Sequence, residues 1–212
     1  MKESRTLAPA LAVFGALGLV AALLLAGLNA LTGERIAHER RDHALRAVSA
    51  MLPEGRYDND LLDTAERIEI PGLDEATAYT ARLSGNATAL VVDVVTPNGY
   101  SGDIRLLVAV SADGAVLGSR ILEHRETPGL GDRIEHDKSD WLTQFDGRSL
   151  GRPPAEEWAP DRRGGAFDTV TSATISSAAV VDAIKRILLT FESRGDALRR
   201  ETQANGPSDG ND

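Results

Sequence analysis

The longest apolar pattern lies near the N-terminus. No charged residue occurs between Thr6 and Gly33, and residues 7–31 are almost wholly apolar. A helix of about 20 such residues crosses a bilayer. A single transmembrane helix is therefore expected over 7–31, after a short N-terminal cytoplasmic segment, 1–6. A cleavable signal peptide carries an apolar stretch of only about 7–15 residues, and no clean A-x-A cleavage site follows this one. In residues 35–52, Ala44, Leu45, Val48, Met51 and Leu52 form one helical stripe that Pro53 ends. Residues 32–75 thus read as a membrane-proximal helix and a polar segment, with a brief apolar alternation at Ile68 and Ile70.

The pattern then changes to strands. Residues 79–83 are a short candidate, and the Val-rich run 89–95 is closed by Pro97-Asn98-Gly99, a strong turn signal. Runs 104–111 and 116–123 flank Ala112-Asp113-Gly114, which reads as a hairpin turn. Residues 125–165 hold few regular elements and many glycines, prolines and charges; so long a loop region in a compact domain is usually functional. A helix follows over 177–191, with Val180, Val181, Ile184, Ile187, Leu188 and Phe191 on one face. The expected fold class is α+β: one N-terminal transmembrane helix, then an antiparallel sheet domain with packed helices over 76–192. Residues 193–212 form the helix end and a polar tail expected to be disordered.

Composition narrows the chemistry. The chain has no Cys, so disulfides, thiolate metal sites, Cys-ligated clusters and CxxCH haem attachment are excluded. A net charge of -9 argues against nucleic acid as a partner. Four scattered histidines show no metal-ligand spacing, and no metal site is expected. Trp141 and Trp158 read as core or surface anchors, and His124 as scaffold for the loop that follows it.

The segment Asp168-Thr-Val-Thr-Ser-Ala-Thr174-Ile-Ser-Ser177 stands apart. It places five hydroxyls and a carboxylate just before the expected helix. A helix start leaves N–H groups unpaired and carries partial positive charge. Such a segment suits either ordinary capping or an anion such as phosphate. One cap residue would suffice, so the excess of hydroxyls leans towards a site.

Asp168-x-x-Thr171-Ser172-Ala173-Thr174 resembles the D-x-x-[ST]-G-A-T motif of FMN-binding domains that hold their flavin covalently. His124-Arg125-Glu126-Thr127-Pro128-Gly129-Leu130-Gly131-Asp132 resembles the same family's E-T-P-G-L-G segment. Gly99-Tyr100-Ser101-Gly102 and Ser139-Asp140-Trp141-Leu142 fit as well. With one span and this length, the chain is similar to the G subunit of Rnf electron transport complexes. The resemblance covers about residues 75–192 and the span.

It implies FMN joined to Thr174 through a phosphoester, transferred from FAD by a magnesium-dependent flavin transferase. It also implies cofactor-binding roles for Asp168, Thr171, Ser172 and Ala173, and for Glu126, Thr127, Gly129, Leu130 and Gly131. Thr127 and the amides near Gly129 and Gly131 would bond the flavin, or the loop is simply a tight structural one. Asp168 either orients the Thr174 hydroxyl and recruits Mg²⁺ or makes an Asx turn.

The implied function is a non-autonomous relay among other membrane subunits of an ion-translocating oxidoreductase. The chain would sit in the cell inner membrane as a single-pass protein, with its domain in the periplasm. Charge alone leaves that orientation open, because Lys2 and Arg5 precede the span while Arg35, Arg40, Arg41 and Arg46 follow it. The alternatives are the C subunit of a sodium-translocating NADH:quinone reductase, or a membrane-tethered assembly protein without flavin. One position departs from the motif: Ser172 stands where the family has Gly. If φ is positive there, Ser costs about 1 kcal/mol or somewhat more.

Overall fold

The computed structural model describes Phe14, Gly15, residues 17–19, 46–52 and 55–204, with side chains up to Ser193. The expected span over 7–31 lies almost entirely outside these residues, as do most of 35–52 and the tail beyond Ala204. Among the described residues no helix is long and apolar enough to cross a membrane. The chain divides into two units, residues 1–46 and 47–212; the second contains all the elements that follow.

Its centre is a five-stranded antiparallel sheet in the order β1 (Glu66–Ile68), β2 (Asp74–Leu83), β3 (Asn86–Thr96), β4 (Ile104–Ser111) and β5 (Val116–Glu123). The expected β4 and β5 coincide with the observed ones. Gly114, with φ of 85°, makes the turn between them, a conformation glycine adopts without strain. The candidate at 79–83 is the second half of a longer strand. β2 begins at Asp74 and is interrupted between Asp74 and Thr77, where its register on β3 shifts. Ile68, from the brief alternation in the polar segment, ends the edge strand β1.

Strand alternation sorts β3 and β4 into two faces. Val92 pairs with Val108 and Val94 with Leu106, and all four join the main core. There they meet Val180, Val181, Ile184, Ile187 and Leu188 of the helix α1 (Thr174–Ala204). On the other face Val91, Leu107 and Ala109 are also buried. That face carries a bidentate pair in which Arg105 Nε and Nη2 donate to Asp93 at 2.9 and 2.8 Å. The Asp93 carboxylate raises the Arg105 pKa, while burial raises that of the Tyr79 phenol.

The helix differs from the expected one at both ends. It starts at Thr174 rather than 177 and runs to Ala204. Ser and Thr compete for backbone hydrogen bonds and disfavour helix interiors, so sequence preference puts the start at the last of the hydroxyl run, Ser177. Here the run is already helical: Ser177 N–H donates to Ala173 O at 2.9 Å, the first i→i−4 bond.

The segment 125–165 is irregular but not empty. It folds as short 3₁₀ turns at Gly131–Ile134, Asp140–Phe145, Ala155–Glu157 and Asp161–Arg163. These turns and the residues beside them deliver Ile134, Leu142, Phe145 and Trp158 to the core. Phe145 meets Trp141, Trp158 and Phe167 at ring-centroid distances of 5.4, 6.3 and 4.8 Å. This aromatic cluster supports the turn ahead of α1.

Candidate functional site

That turn is Val170-Thr171-Ser172-Ala173, closed by Ala173 N–H to Val170 O at 2.9 Å. Its third residue, Ser172, has φ of 69°, a value that favours glycine at this position of a turn. The motif's usual Gly thus has a backbone reason, and Ser172 is strained. Left-handed backbone costs a non-glycine residue about 1–2 kcal/mol, and glycine's extra unfolded-state entropy returns about 0.4–1. Ser172→Gly is therefore expected to stabilise the chain by about 0.5–1 kcal/mol, measurable by chemical denaturation.

The turn is anchored from below. Trp141 Nε1–H donates to Asp168 O at 2.6 Å, and Asp168 N–H donates to Gln144 Oε1 at 2.7 Å. Asp168 is itself exposed. Ser177 acts inside the helix start: its hydroxyl accepts from Val170 N–H at 3.0 Å and bonds Ala173 O at 2.9 Å. Among the described residues none offers an acceptor to the N–H groups of Thr174, Ile175 and Ser176, which therefore point out of the helix start unpaired.

Beside the helix start lies a cleft of about 400 Å³ lined by Tyr100, Glu126, Thr127, Leu130, Gly131, Ser172, Ala173, Thr174, Ile175 and Ser176. Seven of the residues expected from the two motifs thus share one space: Glu126, Thr127, Leu130, Gly131, Ser172, Ala173 and Thr174. Asp168, Thr171 and Gly129 are not among its lining. Tyr100, Ile175 and Ser176 line it without having been singled out as site residues. Tyr100, Leu130 and Ile175 are 68, 45 and 46% exposed. Large apolar side chains left this open on one cleft are the signal that sequence patterning could not show.

Glu126 joins the two motifs. It is buried, and its Oε2 accepts from Ser176 Oγ at 2.7 Å while Oε1 accepts from Ser101 N–H at 3.2 Å. Its own N–H donates to His124 Nδ1 at 3.0 Å, and His124 Nε2 lies 2.7 Å from Glu135 Oε1. His124 is thus scaffold for the loop, as its position suggested.

The glycines make room for this carboxylate. A Cβ on Gly131 would lie 2.7 Å from Glu126 Oε2 and 2.9 Å from its Cβ, and one on Gly99 would lie 2.8 Å from Oε1. Gly131→Ala is expected to cost about 1–3 kcal/mol, the usual range for overpacking. Urea unfolding would measure it. The Gly131 amide does not face the cleft for bonding, because it donates to Thr127 O at 3.0 Å, as Leu130 N–H does at 3.1 Å. The Thr127 carbonyl therefore gathers the turn, and Thr127 lines the cleft beside Glu126.

A charged network lies under the loop. Lys138 Nζ donates to Asp132 at 2.8 Å and lies 3.3 Å from Glu135. Lys138 holds the Asp132 carboxyl below its ordinary 3.8, and His124, followed by Lys138, holds that of Glu135 below 4.5. Lowered carboxyl pKa values contribute stability above the unfolded values, and that stability is lost as pH falls through the lowered ones. Thermal midpoints are therefore expected to drop as pH falls below 4.5. Lys138→Met should make that drop shallower.

The FMN-binding domain family matches residues 99–189, which contain every residue of the cleft. The G subunit of the ion-translocating oxidoreductase complex of Pseudomonas aeruginosa is 43% identical over 198 residues, covering 92% of each chain. That of Shewanella loihica is 38% identical over 190 residues, 88% of this chain and 90% of the relative. That of Cereibacter sphaeroides is 42% identical over 182 residues, 85 and 82% of the two chains. Identity at this level over nearly the whole length shows that this chain, with its FMN-binding domain, belongs to the G-subunit family of ion-translocating oxidoreductase complexes.

Proposed function

We propose that the chain is a flavin-carrying electron relay, with FMN joined to Thr174 by a phosphoester. The observation that carries this reading is the convergence of Glu126–Gly131 and Ser172–Thr174, distant in sequence, on one cleft. Its volume falls within the range of about 300–1,000 Å³ found for small-molecule sites. Thr174 is the first residue of α1 and half-buried, so its hydroxyl stands where unpaired N–H groups and the helix dipole favour a phosphate. Thr127 supplies a polar side chain on the facing loop. Tyr100, Leu130 and Ile175 supply apolar surface suited to a planar ring system.

When bound, the flavin supplies the electron exchange, which no residue of this chain performs. The chain's own work is to hold, orient and tune it. For attachment, Thr174 Oγ1 forms a bond to the flavin-side phosphorus of FAD. The bond from that phosphorus to the AMP oxygen breaks, AMP leaves, and the hydroxyl proton passes to a base. Among the described residues no carboxylate bonds Thr174, and Glu126 is already committed to Ser176 and Ser101. The resemblance to covalent FMN-binding domains implies that a separate magnesium-dependent flavin transferase supplies base and metal. Asp168, exposed beside the turn, is available to that enzyme's metal.

The relay exchanges electrons with other membrane subunits of an ion-translocating complex. Residues 7–31 anchor it in the cell inner membrane as a single span, with the flavin domain on the periplasmic side. The test is co-production with a flavin transferase, followed by a denaturing gel viewed under ultraviolet light. A fluorescent band that needs the transferase is expected. A dark band in its presence would refute the covalent reading.

A further inference from the structure

We propose that Glu126 is a positioning residue: its carboxylate sets the spacing of the cleft walls, and its buried charge lowers the reduction potential of the flavin. This rests on the covalent-flavin reading above. Glu126 is 5% exposed, yet among the described residues no cation pairs with it. Its partners are neutral: the Ser176 hydroxyl and the Ser101 N–H. A buried carboxylate is costly unless hydrogen-bonded, and a neutral side chain would avoid that cost.

The surroundings are nevertheless shaped around it. A Cβ on Gly131 would strike Glu126, and one on Gly99 would strike both the Gly102 carbonyl and Glu126. Ser176 belongs to the first turn of α1, and Ser101 belongs to the loop that brings Tyr100 to the cleft. One carboxylate thus ties together three lengths of chain: the helix start carrying Thr174, the Tyr100 loop, and its own Thr127–Gly131 loop. A fixed negative charge on the wall of a cleft disfavours adding electrons to whatever occupies it.

Two replacements separate geometry from charge. Glu126→Gln keeps both bonds, since the amide oxygen accepts from Ser101 N–H and the amide NH₂ donates to Ser176 Oγ; only the charge is lost. Glu126→Ala removes bonds and charge together. The full chain is co-produced with a flavin transferase. Covalent flavin per chain is read from gel fluorescence, and the midpoint potential from a spectroelectrochemical titration. Glu126→Gln is expected to carry as much flavin as the unaltered chain, at a more positive potential. Glu126→Ala should carry about three- to tenfold less flavin, in line with the loss of one net hydrogen bond or two. Should Glu126→Ala fail to fold, Ser176→Ala replaces it, and reduced flavin at an unchanged potential is expected.

An unchanged potential in Glu126→Gln overturns the tuning, and full flavin in Glu126→Ala or Ser176→Ala overturns the positioning. An unaltered chain without covalent flavin overturns the attachment reading, and with it this proposal. A fluorescent unaltered chain beside unaffected variants overturns the role of Glu126 alone.

Discussion

Thr174→Ala, co-produced with a flavin transferase, is expected to give a folded chain with no fluorescent band on a denaturing gel. Alanine is the best helix former, so the change at the first residue of α1 should alter stability by no more than about 0.5 kcal/mol. Loss of flavin therefore cannot be put down to unfolding, and a thermal melt checks this. The neighbouring hydroxyls do not replace Thr174. Ser176 is buried and bonded to Glu126, and Ser177 is buried and bonded to Val170 and Ala173. Thr171 lies outside the cleft lining. Ser172 is exposed on the wall, but it stands in the turn ahead of α1, before the unpaired N–H groups that receive a phosphate, and Thr127 and Tyr100 lie on other loops, away from the helix start. Thr174→Ser keeps the hydroxyl at the helix start and should keep a measurable part of the fluorescence.

Phe145→Ala is expected to destabilise the chain by about 3–5 kcal/mol, the range for removing a fully buried aromatic ring. Phe145 is 0% exposed and touches Trp141, Trp158 and Phe167. The ring is the hub of the segment that replaces regular structure between β5 and the Asp168 turn, so little nearby can collapse into the gap. For a chain of this size, each kcal/mol moves the midpoint by about 2–4 °C. The expected drop is therefore roughly 6–20 °C in a thermal scan. Trp141 is the functional link: its indole holds the Asp168 carbonyl, and losing its edge-to-face partner should loosen the turn before Thr174. A shift of only one or two degrees would show that the aromatic cluster is not what holds this segment.

The sheet was largely legible because its signals are local. Val-rich runs bounded by Pro97-Asn98-Gly99 and Asp113-Gly114 leave little freedom in where β3, β4 and β5 turn. The first half of β2 was hidden by its irregularity, with Glu75 at φ of 40° beside a register shift. The helix start was misplaced because Thr174, Ile175 and Ser176 are weak helix formers individually. Here the first turn is fixed by contacts from outside the helix, through Ser176 to Glu126 and Ser177 to Val170.

The site itself was read by resemblance more than by physics. The motifs pointed to seven of the cleft's residues, but not to how they meet. A glutamate in a polar loop reads as solvated, and nothing local shows that Glu126 is buried against a serine 50 positions away. The trace it left in the sequence was indirect. Gly131 is needed for its close approach, whereas a Cβ on Gly99 would meet the Gly102 carbonyl before the carboxylate. Ser172 is the reverse case: its departure from the motif was plain, and the structure supplied the positive φ that gives it an energetic cost.

Mass spectrometry reads the site of modification directly. The full chain, co-produced with a flavin transferase, is digested, and the peptide spanning Asp168–Ser177 is fragmented in a mass spectrometer. The mass of one FMN, less one water, is expected on Thr174. An unmodified peptide, or FMN on Ser172, Thr171 or any other residue, would contradict it.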